Sequence, residues 1–264
     1  MAATYLDTIV EAHRARAARD HRDWRSRLGE VRYDGPSFAD ALRRDRHHVA
    51  VIAEIKRRSP SKGWIDEDLD VGVLAHEYEA GGAAAISVLT DADFFSGSVD
   101  DLKTTAAAVG VPVLRKDFTV CANDVIDAAH MGAGAVLLIV AALSDAEIAL
   151  FLEVAKSCHL DALVEVHDPA EARRALDAGA EIVGVNQRDL HSFDVDPRRA
   201  SEVIAGLPPH VLAVAESGLA SVTDVASVAR SGADAVLVGE TFVRAGAPRD
   251  LVGDFASVER RPRG

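Results

Sequence analysis

An acid and an amine stand two residues apart in Glu54-Ile55-Lys56-Arg57-Arg58-Ser59-Pro60-Ser61-Lys62-Gly63, closing an apolar run that begins at Val51. Alternate side chains of a strand share a face, so Glu54 and Lys56 project together while Val51, Ala53 and Ile55 project the other way. A carboxylate beside an ammonium, followed by a Ser/Pro/Gly loop, is equipment for moving protons at the edge of a site. The chain has only five lysines among its 29 Lys and Arg residues, so a lysine inside a strand is a scarce placement. Lys116 is another, in Val113-Leu114-Arg115-Lys116-Asp117-Phe118, with Phe118 on the face of Leu114 and Lys116.

The same parity gathers further polar groups at strand ends. Glu165 stands in Leu163-Val164-Glu165-Val166-His167, and Asn186 and Arg188 in Gly184-Val185-Asn186-Gln187-Arg188-Asp189. Glu216 precedes Ser217-Gly218, Gly239 precedes Glu240, and Ser59 and Ser61 lie in the first loop. Three acids, two lysines, an Asn and an Arg on one parity are too many for a passive core, since an unpaired buried charge costs on the order of several kcal/mol. Singly, each has a structural reading: Glu54–Lys56 as an ion pair, Arg188 as a solvated loop residue, Glu216 as a salt-bridge partner. Ser217-Gly218 and Gly239-Glu240 each open a strand toward a helix, where backbone N–H groups and the helix dipole can hold a phosphate dianion. Tight turns alone would also account for those glycines.

The elements that must position these groups repeat along the chain. Apolar runs at Val49–Lys56, Ala84–Thr90, Val111–Phe118, Ala135–Val140, Ala162–His167, Ile182–Asn186, Val211–Glu216 and Ala235–Gly239 start 20 to 35 residues apart. That is the spacing of a strand plus a crossover helix. Helix starts are marked by Ser144-Asp145-Ala146-Glu147 and by Asp168-Pro169-Ala170-Glu171. Several helices should end in a Gly-Ala phrase, at Gly82-Ala83, Gly132-Ala133, Gly179-Ala180 and Gly232-Ala233, where glycine supplies a left-handed cap. Eight such units predict an α/β fold, a closed (β/α)8 TIM barrel whose site lies at the C-terminal ends of the strands. No Gly-x-Gly-x-x-Gly follows the first strand, which weakens a dinucleotide-binding sheet. One barrel domain over 1–264 is expected. Residues 1–48 would form a helical extension covering the barrel's bottom, with one helix in Thr4–Arg19 and a short one over Phe38–Arg46.

Composition sets the outer limits. A net charge of −13 argues against a broad nucleic-acid-binding face, so a phosphate must be gripped locally. Two cysteines, Cys121 and Cys158, make neither a disulfide framework nor a cysteine zinc site and read as small core residues. No apolar run approaches the roughly 20 residues of a membrane span. The N-terminal stretch, with Asp7 and Glu11 and no apolar core, reads as neither a signal nor a transit peptide. A cytoplasmic setting is expected. His47, His48, His76 and His130 lack ligand-spaced partners, so no metal is expected; His167 is assigned an ordinary strand-end role.

Glu-Ile-Lys-Arg-Arg-Ser-Pro-Ser-Lys-Gly at 54–63, Leu-Arg-Lys-Asp-Phe at 114–118, Val-Glu-Val-His at 164–167, Gly-Val-Asn-Gln-Arg-Asp-Leu at 184–190, Glu-Ser-Gly at 216–218 and Val-Gly-Glu at 238–240 together resemble the indole-3-glycerol phosphate synthases. Asp-Ala-Asp-Phe-Phe-Ser-Gly-Ser at 91–98 is similar to that family's second loop, and the resemblance spans the chain. One departure is Gln187, where the family pattern leads one to expect a second Asn. Its parity points away from the site, so little consequence is expected.

The resemblance implies a substrate, 1-(2-carboxyphenylamino)-1-deoxyribulose 5-phosphate, converted to indole-3-glycerol phosphate with loss of carbon dioxide and water. It implies tryptophan biosynthesis without metal or organic cofactor. Lys116 would be the general acid at the ribulose carbonyl, its pKa lowered by apolar walls and raised by any nearby carboxylate. Glu165 and the Glu54–Lys56 pair would share the proton transfers of dehydration, and Glu216 joins the catalytic set. Ser59, Asn186 and Arg188 would orient the carboxylate and sugar hydroxyls, and Phe118 would wall the aromatic ring. Ser217, Gly218, Gly239 and Glu240 would hold the phosphate. A monomer is expected, alone or beside other enzymes of the pathway. Two barrel lysines also fit a Schiff-base aldolase, and a phosphosugar isomerase or a phosphate-ligand-binding subunit are further alternatives.

Overall fold

The computed structural model describes residues 4–59, 62–189 and 194–263; Pro60, Ser61 and Leu190 fall outside them. The strands, in chain order, are β1 (Ala50–Ile55), β2 (Arg58–Ser59), β3 (Gly63–Trp64), β4 (Ala85–Leu89), β5 (Val113–Lys116), β6 (Ala135–Ile139), β7 (Asp161–Val166), β8 (Ile182–Asn186), β9 (Leu212–Glu216) and β10 (Ala235–Val238). Eight of them close a barrel in the order β1-β10-β9-β8-β7-β6-β5-β4, every pairing parallel. Helices follow these strands on the outside, as the βα spacing predicts. Not foreseen is the small antiparallel pair β2–β3, which braces the loop after β1.

Strand parity divides the apolar residues into two layers. Val51, Ala53, Ile55, Val88, Val136, Leu138, Val164, Val183 and Val185 face the helices. Ile52, Ala85, Leu114, Leu137, Leu163, Ile182, Val214 and Leu237 fill the barrel interior. The turns are as regular as the sequence suggests. Gly82, Gly132, Gly179 and Gly232 all take φ between 88° and 96°. In each, the following alanine donates its N–H back to a carbonyl of the last helical turn, as in Ala133 to Ala128 at 3.0 Å. Asp168 caps its helix through the N–H groups of Ala170 and Glu171, and Ser144 and Glu147 form a reciprocal capping box.

The segment before β1 does two jobs rather than one. The short helix Phe38–Arg43 covers the bottom: Phe38 and Leu42 are fully buried and belong to the interior cluster. Asp161 at the start of β7 fixes it there, accepting from the Ala39 N–H (2.9 Å) and the Ser37 hydroxyl (3.1 Å). The first helix, Tyr5–Ala17, instead packs at the opposite end, against the strand ends. Its His13 Nε2 lies 2.8 Å from Asp91 Oδ2 and its ring packs on Phe118 with centroids 5.4 Å apart. The expectation of a cover for the bottom therefore holds for one helix and fails for the other. Among the described residues no helix is long and apolar enough to cross a membrane.

Because Phe38 fills the lower barrel interior, Phe38→Ala should lower the unfolding free energy by about 3–5 kcal/mol. A urea titration of both proteins checks it.

Candidate active site

Inward parity brings the scarce charged residues to one opening. Glu54 on β1, Glu165 on β7, Asn186 on β8 and Glu216 on β9 are all buried, and Lys56 and Lys116 reach in beside them. The cavity they surround measures about 460 Å³. Ser59, Phe118, Arg188, Ser217, Gly218, Gly239 and Glu240 line the same space, so every residue singled out for catalysis or binding meets there.

Lys56 Nζ donates to Glu54 Oε1 at 2.6 Å. Lys116 Nζ stands 3.8 Å from Glu54 Oε2 and 3.8 Å from Glu165 Oε2, midway between the two carboxylates and locked to neither. Asn186 donates through Nδ2 to Glu165 Oε1 at 3.0 Å. Its orientation is fixed from the other end, where its carbonyl accepts the Arg188 backbone N–H at 3.0 Å. Two glycines make the cluster possible. A Cβ on Gly184 would sit 1.9 Å from Glu216 Oε1, and one on Gly239 would sit 2.5 Å from Glu54 Oε1. The space a side chain would need at these strand ends is occupied by carboxylates.

Charge states follow from the geometry. Burial alone would push the Lys116 ammonium toward losing its proton, but the carboxylates of Glu54, Glu165 and Glu216 outweigh it and hold its pKa above the ordinary lysine value. Of the two opposing effects expected from the sequence, the carboxylates prevail over the apolar walls, and Lys116 is held protonated. Burial would raise Glu54, yet Lys56 and Lys116 together bring it below the usual carboxylate range, so it is ionised. Glu216 goes the other way. Its burial and the adjacent Glu165 raise it well above that range, more than Lys116 lowers it, which biases Glu216 toward its neutral acid form.

Part of the cavity wall beside the cluster is built from backbone. Ser217 and Gly218 both take positive φ, 67° and 72°, which curls the chain after β9 around the opening. Thr241 ties this loop to the one after β10, its hydroxyl donating to the Leu219 carbonyl at 3.0 Å. Gln187 points away from the cavity, as its parity requires, but it is not without consequence. Its amide Nε2 donates to the Ser217 carbonyl at 2.7 Å and fixes that loop from behind.

Several wall residues escaped the sequence reading. Tyr5, Leu6 and Ile9 come from the first helix, whose placement no local pattern specifies. Arg244 lies beside the loop after β10 and pairs with Glu240 at 3.1 Å; its i,i+4 spacing to Glu240 was the available signal. Phe95, in the second loop, stands 6.2 Å from Phe118 and extends the apolar wall.

His13, Asp91 and Asp117 form a buried trio close enough to suggest a cation site. Their oxygens are already engaged, however. Asp91 Oδ1 accepts from the N–H groups of Phe94 and Phe95 and its Oδ2 faces His13. Asp117 accepts from Thr90, Arg115 and its neighbour's N–H. The trio is a clasp for the first helix.

Removing the central cation should expose the balance. Lys116→Met leaves buried carboxylates uncompensated and should cost about 3–5 kcal/mol of stability at pH 7. The raised pKa of Lys116 makes its contribution complete below its unfolded value of about 10.4, so the wild type should not show this loss at neutral pH. In the variant the carboxyls bind protons more tightly folded than unfolded. Its stability should therefore rise as pH falls toward about 5, measured by urea unfolding at both pH values.

Comparison with known proteins agrees with this arrangement. A sequence model of the indole-3-glycerol phosphate synthase family matches residues 5–254. An indole-3-glycerol phosphate synthase of Chlorobium phaeovibrioides is 45% identical over 226 residues, covering 84% of this chain and 88% of that protein. One from Micrococcus luteus is 46% identical over 227 residues, covering 83% and 85%. Among solved structures, a thiamine phosphate pyrophosphorylase from Pyrococcus furiosus superposes with a TM-score of 0.60 at 17% identity, covering 80% of this chain and 94% of that one, a likeness of fold alone. The barrel, its ring of inward charges and these relatives agree: the chain belongs to the indole-3-glycerol phosphate synthase family.

Proposed function

We propose that the protein converts 1-(2-carboxyphenylamino)-1-deoxyribulose 5-phosphate to indole-3-glycerol phosphate, carbon dioxide and water. The observation that carries this reading is the cavity's lining. Two ammoniums, three carboxyls, the backbone turns after β9 and β10 and the aromatic rings of Phe95 and Phe118 all line one cavity. The substrate carries the matching groups: a carbonyl to be protonated, an aromatic ring and a phosphate.

Its phosphate is held by N–H groups of the Ser217-Gly218 and Gly239-Glu240 turns, with Arg244 adding positive charge. Its anthranilate ring lies along Phe118 and Phe95, and its carboxylate and hydroxyls bond to Ser59, Asn186 and Arg188. Lys116 donates a proton to the ribulose carbonyl oxygen as the aromatic carbon bearing the carboxylate attacks the carbonyl carbon. That carboxylate then leaves as carbon dioxide, and its bonding electrons restore the aromatic ring. In the dehydration, Glu165 removes a proton from the methylene carbon next to nitrogen. The Lys56–Glu54 pair protonates the departing hydroxyl, and a carbon–carbon double bond completes the pyrrole; Lys116 and Lys56 then take two protons from water while Glu165 gives one up, so each turnover consumes one proton. Glu216, biased toward its neutral form, limits the negative charge around Lys116. The protein acts as a cytoplasmic monomer, with no metal or organic cofactor called for by these steps.

A Schiff-base aldolase is disfavoured because its lysine must be a neutral amine, whereas Lys116 is held protonated by its carboxylates.

Purified protein should generate indole fluorescence from the carboxyphenylamino-deoxyribulose phosphate. Lys116→Ala should lower kcat by roughly 10²–10⁴-fold, the usual contribution of a positioned acid. Borohydride should trap no covalent adduct. Failure of the wild type to form indole, or a trapped adduct on Lys116, contradicts the assignment.

A further inference from the structure

Glu165 has a second neighbour that the reaction steps above do not use. His167 lies two residues on, just beyond β7 and on the same parity, with Nε2 3.5 Å from Glu165 Oε1. Its other nitrogen, Nδ1, lies 3.0 Å from Glu171 Oε2, and the His167 backbone N–H donates to that same oxygen at 2.8 Å. The backbone bond belongs to the helix start and would exist for any residue at 167. The ring contacts are a different matter. Glu171 selects the tautomer with hydrogen on Nδ1, which turns the Nε2 lone pair toward Glu165. Nε2 is buried and has no hydrogen-bond partner of ordinary length.

Behind the imidazole lies a second cavity of about 350 Å³, bordered by His167, Asp168, Glu171, Asp189, Asp196 and Arg199. Glu171 keeps 18% of its side chain exposed, against 2% for Glu165. Glu165 thus has one face on the cavity that takes substrate and another, through His167, toward a separate opening. We propose that His167 and Glu171 are a proton relay that carries the proton taken up by Glu165 to this second cavity.

The inference rests on the base role given to Glu165 under the proposed function. Each turnover leaves one proton on that carboxyl, while the occupied first cavity keeps water from it. The proton passes from Glu165 to His167 Nε2, forming imidazolium. The Nδ1 proton then passes to Glu171 and on to water, leaving the Nε2–H tautomer, and exchange with water between turnovers returns the ring to the Nδ1–H form. The charges facing the ring suit a transient cation. Burial opposes the imidazolium, but Glu171 and Glu165 outweigh it, and Arg199 from the helix Pro197–Ala205 offsets only part of their effect. Asp168, Asp189 and Asp196 on the cavity wall add negative charge on the exit side.

Two measurements test the relay. His167→Asn can still hydrogen-bond to Glu171 but cannot carry a proton. It should lower kcat roughly tenfold, less than loss of a direct base, with KM unchanged, and added imidazole should restore the rate in proportion to its concentration. Glu171→Gln should show a smaller loss in the same sense. Separately, an NMR titration of His167 in the free enzyme should place its pKa above the ordinary value of about 6.5, and the pKa should fall in Glu165→Gln. A His167→Asn enzyme with wild-type kcat, a loss indifferent to imidazole, or a His167 titration unmoved by Glu165→Gln overturns the relay. A wild type that forms no indole overturns the assigned reaction instead, and the NMR titration then decides the proton link by itself.

Discussion

The site depends on one arrangement: a lysine ammonium held midway between buried carboxylates. Lys116 is 3.8 Å from both Glu54 and Glu165, with Glu216 also within electrostatic reach. Such a group is costly to bury unless charge is balanced. Lys56 pairs with Glu54, and Glu216 is biased toward its neutral form, which limits the negative charge gathered around Lys116. The barrel serves this cluster geometrically. Only inward parity on β1, β5, β7 and β9 brings these residues together, and only glycine at 184 and 239 leaves them room.

The balance also bears on how an anion enters. The chain carries a net charge of −13, and a field of that sign opposes a phosphorylated, carboxylated substrate. In the proposed binding mode, the paired charges of the cluster and the backbone N–H groups of the adjoining turns offset that opposition locally. Gln187 and Thr241 matter here because they hold those N–H groups in place through the Ser217 and Leu219 carbonyls. A residue outside the cavity thus shapes the proposed phosphate site as much as residues within it.

Much of this was legible in the sequence, because period-two alternation and repeated turn phrases are local signals. They placed Glu54, Lys56, Lys116, Glu165, Asn186 and Glu216 on one face and at one end. What was not legible depends on distance between elements. Tyr5, Leu6 and Ile9 reach the site because His13 bonds Asp91, a contact across 78 residues that no periodicity announces. The sign of the Lys116 shift was undetermined for the same reason. Residue types supply both the burial and the carboxylates, but only the distances say which prevails. Gln187 was misjudged because parity tells where a side chain points, not what it meets there.

The central claim is that Lys116 stays a charged acid among buried carboxyls, one of which, Glu216, is pushed toward its neutral form. Infrared difference spectroscopy between wild type and Glu216→Gln at pH 7 tests it most directly. A protonated carboxyl band present in the wild type and absent from the variant is the predicted result. A spectrum in which the substitution removes only a carboxylate band would mean that Glu216 is ionised, contradicting the charge balance described above.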